Sequence, residues 1–157
     1  MRRFLALLLF CLLATSAAAQ PAEFFAETTY AIGGDARDVV AVDLDGINGP
    51  DLVAASHADD GVSVLLNDGA GGFGASTLYE VANAISSVAV GDFDGDGNPD
   101  VVAASAVQEI WFLPGAGDGT LGTPVLSEET TYGGTAVDLA VADFDRDDVL
   151  DLSLIHI

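Results

Sequence analysis

The sequence predicts an all-β chain, a partial β-propeller of four-stranded antiparallel blades, on three observations. An acidic motif recurs at Asp43-Leu44-Asp45-Gly46, Asp92-Phe93-Asp94-Gly95 and Asp143-Phe144-Asp145-Arg146, with spacings of 49 and 51 residues. Short runs of Val, Ala, Leu and Thr alternate with Gly, Asp and Asn punctuation, the pattern of strands joined by tight turns. Beyond the N-terminal leader, no window sustains the periodicity of an amphipathic helix.

The repeat extends well past the acidic motif. Alternating apolar stretches precede it each time: Val39-Val40-Ala41-Val42, Val88-Ala89-Val90-Gly91 and Leu139-Ala140-Val141-Ala142. After the first two come near-identical segments, Asp51-Leu52-Val53-Ala54-Ala55-Ser56 and Asp100-Val101-Val102-Ala103-Ala104-Ser105. Further on, Val64-Leu65-Leu66-Asn67-Asp68-Gly69 with Phe73-Gly74 is echoed by Phe112-Leu113-Pro114-Gly115-Ala116-Gly117 with Leu121-Gly122. In the middle repeat, strands are expected at roughly 86–92, 100–105, 109–113 and 123–131. Four short strands per unit of this size make a propeller blade, which buries its faces only by stacking on neighbours. About two and a half units are present. A closed ring takes roughly 4–8 blades, so the chain is expected to be part of a longer protein.

The two ends of the sequence stand apart from the repeats. Residues 1–19 have the layout of a secretory signal: Arg2 and Arg3, an apolar run from Phe4 to Ala14, then Ala17, Ala18 and Ala19. Cleavage is expected after Ala19. The apolar run is too short for a bilayer core of ~30 Å, so no membrane span is expected in the mature fragment. Cys11 follows Phe10, whereas a lipoprotein signal wants a small residue there, so no lipid anchor is expected. Without the leader the chain has no cysteine, and disulfides and thiol chemistry are excluded. Residues 20–151 carry the repeats. The last six residues, Leu152 to Ile157, match the in-frame read-through of a common transposase sequencing adapter; the plain alternative is an apolar strand.

Charge narrows the partners. The whole chain has 25 Asp and Glu against 4 arginines, a net charge of -21, and two of those arginines lie in the leader. Such a surface repels phosphate, which argues against nucleic acid and anionic membranes. The strand-forming content argues against disorder. A folded chain this acidic needs cations to limit self-repulsion.

The acidic loops supply the place for them. In Asp92-Phe93-Asp94-Gly95-Asp96-Gly97-Asn98-Pro99-Asp100, acids stand at loop positions 1, 3, 5 and 9. Alternation by two brings Asp92, Asp94, Asp96 and Asp100 around one centre when the backbone curls, and Gly95 and Gly97 permit the turn. Asn98 would add its backbone carbonyl. Oxygen donors with several carboxylates favour Ca²⁺ over zinc or copper, and over Mg²⁺, which keeps its waters. Residues 143–151 repeat the set with Asp143, Asp145, Asp147 and Asp151, the Val149 carbonyl, and Asp148 in place of the second glycine. Residues 43–51 keep Asp43, Asp45 and Asp51 but place Ile47 at position 5, so weak or absent metal is expected there. An EF-hand is excluded, because its position 12 requires Glu and holds Ala103 here, between strand-like flanks. Dockerin-type loops fail on the same flanks. One Asp-Gly pair would mark only a turn. Four acids recurring at the repeat period would repel one another without a cation.

The string from Ser87 to Asp100 resembles the FG-GAP/VCBS repeat, the calcium-loop repeat also seen in integrin alpha-subunit propellers. Leu65-Leu66-Asn67-Asp68-Gly69 and Gly72-Phe73-Gly74 are similar to its second motif, and the likeness covers about residues 24–151. It implies metal positions at Asp92, Asp94, Asp96, Asn98 and Asp100, and at Asp143, Asp145, Asp147, Val149 and Asp151. It carries only partly onto Asp43, Asp45 and Asp51. It also implies that segment 24–31 is the outermost strand of a blade completed elsewhere, and that the module serves adhesion or recognition.

Catalytic constellations are missing from the sequence. His57 shares a polar turn with Asp59 and Asp60 and reads as a solvated loop residue. Ser56 and Ser105 end equivalent strands, but Ser105 has no histidine near it to activate a shared nucleophile. Glu128-Glu129 reads as a solvated outer face, and Trp111 with Phe112 as core of a third strand. No Gly-rich stretch precedes a helix, so no phosphate cradle is expected. The expectation is a secreted, non-enzymatic, calcium-binding propeller module, extracellular or on the cell surface, with a protein or glycan ligand. The alternative is a propeller that scaffolds a larger secreted enzyme, for instance a polysaccharide-active one, with catalytic residues beyond Asp151.

Overall fold

A computed structural model of the chain describes residues 28–32, 34–81, 83–107, 109–129, 136–147 and 149–156. Residues 1–19 lie outside them. Among the described residues there are ten strands and no helix. None of them forms a helix long and apolar enough to cross a membrane.

The strands form consecutive antiparallel meanders. Blade 1 holds β1 (Ala36–Val42), β2 (Asp51–Ser56), β3 (Gly61–Leu65) and β4 (Thr77–Glu80), in that order across the sheet. Blade 2 repeats the order with β5 (Ile85–Gly91), β6 (Asp100–Ser105), β7 (Glu109–Leu113) and β8 (Val125–Glu129). A third, two-stranded sheet pairs β9 (Ala136–Ala142) with β10 (Asp151–His156). The architecture is that of a partial β-propeller, as the repeat predicts. The expected strand at 123–131 starts two residues late. Pro124 has no N–H to enter a ladder, and the Gly122 amide is used by the Pro114 carbonyl at 2.7 Å.

Burial explains the composition of the repeat. The second strand of blade 2 lies between sheets on both faces, so it reads as a continuous small-apolar run rather than an alternation. In β6 every residue is buried, and in β2 only Leu52 is not fully so. Alanines at 55, 103 and 104 let adjacent sheets approach closely. Between blades 1 and 2, one core joins Val53, Ala55, Val62 and Val64 to Ile85, Val88, Val101, Ala103 and Leu113. A second cluster joins Val102, Ala104 and Ile110 to Phe93, Phe112, Leu139 and Leu154 across the next interface. Each fully buried Val or Leu contributes about 1.5–3 kcal/mol relative to exposure, which is why blades hold by stacking. Trp111 packs against the first cluster and Phe112 against the second, as core side chains do.

Three local segments fill in the rest of the fold. Residues 28–32 form no strand; instead the Ile32 carbonyl accepts the hydroxyls of Ser56 (2.8 Å) and Ser63 (2.7 Å), and Tyr30 meets Phe73 edge-on at 5.4 Å. Among the described residues this segment satisfies buried serines rather than a ladder, and residues 24–27 lie outside them. His57 is not simply solvated: its amide donates to the Asp35 carbonyl, and its Nδ1 lies 3.2 Å from the Ile85 carbonyl of the next blade. Residues 152–156 continue β10 in register with β9, Leu152 opposite Val141 and Leu154 opposite Leu139.

Candidate metal centre

The acidic loops form the connection between the first and second strands of each blade, and the position-9 acids Asp51, Asp100 and Asp151 open β2, β6 and β10. Carboxylate oxygens converge within 4.8 Å of one another in three groups: Asp43, Asp45 and Asp51; Asp92, Asp94 and Asp96; Asp143, Asp145 and Asp151. The first loop is as convergent as the others, although Ile47 at its fifth position is exposed and has no donor. Asp100 stands outside the second group and Asp147 outside the third. Asp148 lies outside the described residues.

Each loop is curled by its own carboxylates. Asp92 accepts the amides of Gly95 (2.8 Å) and Gly97 (3.0 Å), Asp94 that of Asp96 (3.0 Å), and Asp96 that of Asn98 (2.7 Å) together with the Asn98 side-chain amide (2.9 Å). The first loop has the Asp43–Gly46 and Asp45–Ile47 bonds, and the third has Asp143–Arg146, Asp143–Asp147 and Asp147–Val149. These short Asx turns place successive acids on the inside of the curl. The backbone at position 4 is left-handed in all three loops, at φ 71° in Gly46, 79° in Gly95 and 69° in Arg146.

Gly97 sits at φ +90° with open space where a Cβ would go. Gly97→Ala therefore introduces backbone strain and no clash. It is expected to lower unfolding free energy by about 1–2 kcal/mol, read from urea denaturation in chelator. A neutral substitution would mean the loop relaxes out of this curl.

The position-9 acids do something the sequence did not announce. Asp100 is 0% exposed and its two oxygens accept the amides of Phe93 (2.9 Å) and Gly115 (2.7 Å). Asp51, also 0% exposed, accepts those of Leu44 (2.8 Å) and Asn67 (2.8 Å). Asp151 accepts the Phe144 amide at 2.9 Å. The same carboxylate thus ties the start of the acidic loop to the turn after the third strand. That turn is itself closed by paired bonds, Asp68–Gly72 and Gly74–Leu66 in blade 1, Ala116–Thr120 and Gly122–Pro114 in blade 2. Within it, amides of Ala70 and Gly72 hold the Asp68 carboxyl below the usual carboxylate range. The Thr120 hydroxyl, then its amide, do the same for Asp118.

Neighbouring blades meet around the loop as well. The Gly119 amide of blade 2 donates to the Leu44 carbonyl at 3.3 Å, and the Leu121 amide to the Tyr79 hydroxyl at 3.0 Å. At the inner strands, Asp38 accepts the Ser87 hydroxyl (2.8 Å) and the Val88 amide (3.0 Å). Asp38 and Ser87 occupy the same repeat position, 49 residues apart, and that coincidence was the available signal for this link.

The donor set is chemically uniform: carboxylate and backbone oxygens, with no imidazole or thiolate within the groups. Such sites suit a hard divalent cation, and clustered acids are themselves destabilised without one. The second loop would hold it with Asp92, Asp94 and Asp96, and the third with Asp143, Asp145 and Asp151.

No curated protein matches the chain significantly. A family model described as FG-GAP-like repeat matches residues 43–103 and 92–153, each match running from one acidic loop through the next. The two ranges together take in well over half of the sequence, every strand from β2 to β9 and all three acidic loops, and the chain belongs to the FG-GAP-like repeat family.

Proposed function

We propose that the protein is a secreted, calcium-binding β-propeller module that recognises an extracellular protein or a glycan and carries out no catalysis in this region. The observation behind this reading is the threefold recurrence of converging carboxylates at the same strand connection. FG-GAP-like repeats are typical of extracellular proteins, and the leader-like N-terminus agrees with export. Calcium's role is mechanical: it neutralises the acids of each loop and pins the turn between the first two strands of a blade.

Calcium at 100 times its dissociation constant is expected to stabilise the fold by about 2.7 kcal/mol per site, because it binds only the folded loop. For a chain of this size that raises Tm by roughly 5–10 °C. The double substitution Asp94→Ala and Asp96→Ala should remove the second loop's share of the gain. In chelator its effect on Tm should be small, since relief of like-charge repulsion is offset by loss of the loop hydrogen bonds that Asp94 and Asp96 accept. Identical melting curves with calcium and with chelator would sink the calcium assignment. The ligand class is tested by capture on panels of immobilised glycans and extracellular proteins. Calcium-dependent capture is expected, and retention on DNA beads instead would overturn the reading.

A further inference from the structure

The chain has four asparagines, and the residue after each one governs its chemistry. Asn67 precedes Asp68, Asn83 precedes Ala84, Asn98 precedes Pro99, and Asn48 precedes a glycine, Gly49. Asn48 stands at position 6 of the first acidic loop, where the second loop has Gly97; the second loop's asparagine comes one place later. The exchange of places leaves the contact unchanged. The Asn48 side-chain amide donates to the Asn67 carbonyl at 3.2 Å, and its Oδ1 lies 2.6 Å from where a Cβ on Gly69 would stand. The Asn98 Oδ1 lies in the same way against Gly117, the repeat counterpart of Gly69. Each asparagine thus bridges its acidic loop to the turn after the third strand.

The two bridges differ in their durability. An asparagine side chain is lost when the backbone nitrogen of the next residue attacks its Cγ. Pro99 carries no hydrogen on that nitrogen, so half-buried Asn98 has no such route. At Asn48 the attacking nitrogen belongs to a glycine. Asn48 is exposed, both residues are left-handed at φ 65° and 91°, and the Cβ position of Gly49 faces open space. No Cβ crowds the nitrogen or stiffens the link between the two residues. The bond to the Asn67 carbonyl that holds the side chain is itself exposed to water.

We propose that Asn48–Gly49 is a self-modification site, where the first loop deamidates spontaneously and cuts its own bridge to the turn after β3. Solvent base takes the Gly49 amide proton, and the nitrogen forms a bond to Asn48 Cγ. The Cγ–Nδ2 bond then breaks, and ammonia leaves. Water opens the resulting five-membered imide at either carbonyl, giving aspartate or isoaspartate. One water is consumed and one ammonia released, with no oxidant or reductant. The new carboxylate has no N–H for the Asn67 carbonyl. It is also a like charge in a loop that already gathers Asp43, Asp45 and Asp51. Blade 1 therefore carries a slow clock that blade 2, with proline behind its asparagine, lacks.

The test is ageing of the full chain in chelator at mildly alkaline pH, followed by peptide mapping in a mass spectrometer. Replacement of NH₂ by OH adds about 1 Da. Asn48 is expected to convert at least about tenfold faster than Asn67, Asn83 or Asn98. Asn48→Asp, made directly, should lower the urea midpoint in chelator, and the aged parent should drift toward it. The paired change Asn48→Gly with Gly49→Asn restores the second loop's order and puts asparagine before Pro50. It should abolish conversion in this loop; the parent's own map keeps the test valid if that variant folds poorly. Conversion at Asn48 no faster than at Asn83, which is also exposed and left-handed, would overturn the proposal. So would an unchanged midpoint for Asn48→Asp.

Discussion

Asp100→Ala is expected to destabilise the chain by about 3–5 kcal/mol, a loss matched among the loop acids only at Asp51. Its carboxylate is 0% exposed and accepts two amides, those of Phe93 and Gly115. Hydrogen bonds to a charged acceptor contribute roughly 1.5–3 kcal/mol each, and truncation leaves both buried donors without a partner. Asp100→Asn should recover little, because the new amide turns N–H groups toward one of those donors. Asp51→Ala should behave alike, since it is equally buried and accepts the Leu44 and Asn67 amides. The measurement is urea denaturation in chelator, where metal ligation plays no part. Should Asp100→Ala be neutral in chelator yet erase a calcium-dependent gain, its weight would lie in the metal shell and the clamp would be wrong.

Gly115→Ala comes second, at about 3 kcal/mol or more. A Cβ there would run into the Pro99 carbonyl oxygen and carbon, which are main-chain atoms without a rotamer to escape through. Moving them shifts the Gly115 amide off Asp100, so steric and polar costs fall together. Blade 1 supplies the internal control. Its equivalent residue is Asn67, whose side-chain amide donates to the Pro50 carbonyl at 3.0 Å while its backbone amide still reaches Asp51. Gly115→Asn is therefore expected to lose less than Gly115→Ala, despite being larger. Denaturation midpoints of the two variants decide it, and the reverse order would show that the blades do not share this seat.

Much of this architecture was legible in the residues. Strands β5 to β8 fall within a residue or two of where alternation and Gly/Asp punctuation place them, because a repeat supplies the same reading more than once. The loops were legible for the same reason, since the acids at positions 1, 3 and 9 recur at the repeat period in all three loops. The division of labour among those acids was not. Spacing treats Asp92 and Asp100 as equals, whereas only the fold shows that Asp100 is buried against two amides from segments 22 residues apart, Phe93 and Gly115. Ile47 removes a side-chain donor at position 5 but leaves the backbone curl in place, so Asp43, Asp45 and Asp51 still converge. Residues 28–32 escaped prediction because their conformation is dictated by buried Ser56 and Ser63, which require an acceptor, and not by any pattern of their own.

Apart from the His57–Ile85 contact, the bonds described between blades 1 and 2 have a direction in time. Asp38, Leu44 and Tyr79, all early in the chain, wait as acceptors for Ser87, Val88, Gly119 and Leu121. A ribosome delivers the acceptors first. The first blade therefore emerges with its sheet complete and its rim unfinished, and the residues that finish it arrive some forty to seventy-five positions later. Each repeat acts as the scaffold for the one that follows and is in turn the beneficiary of it.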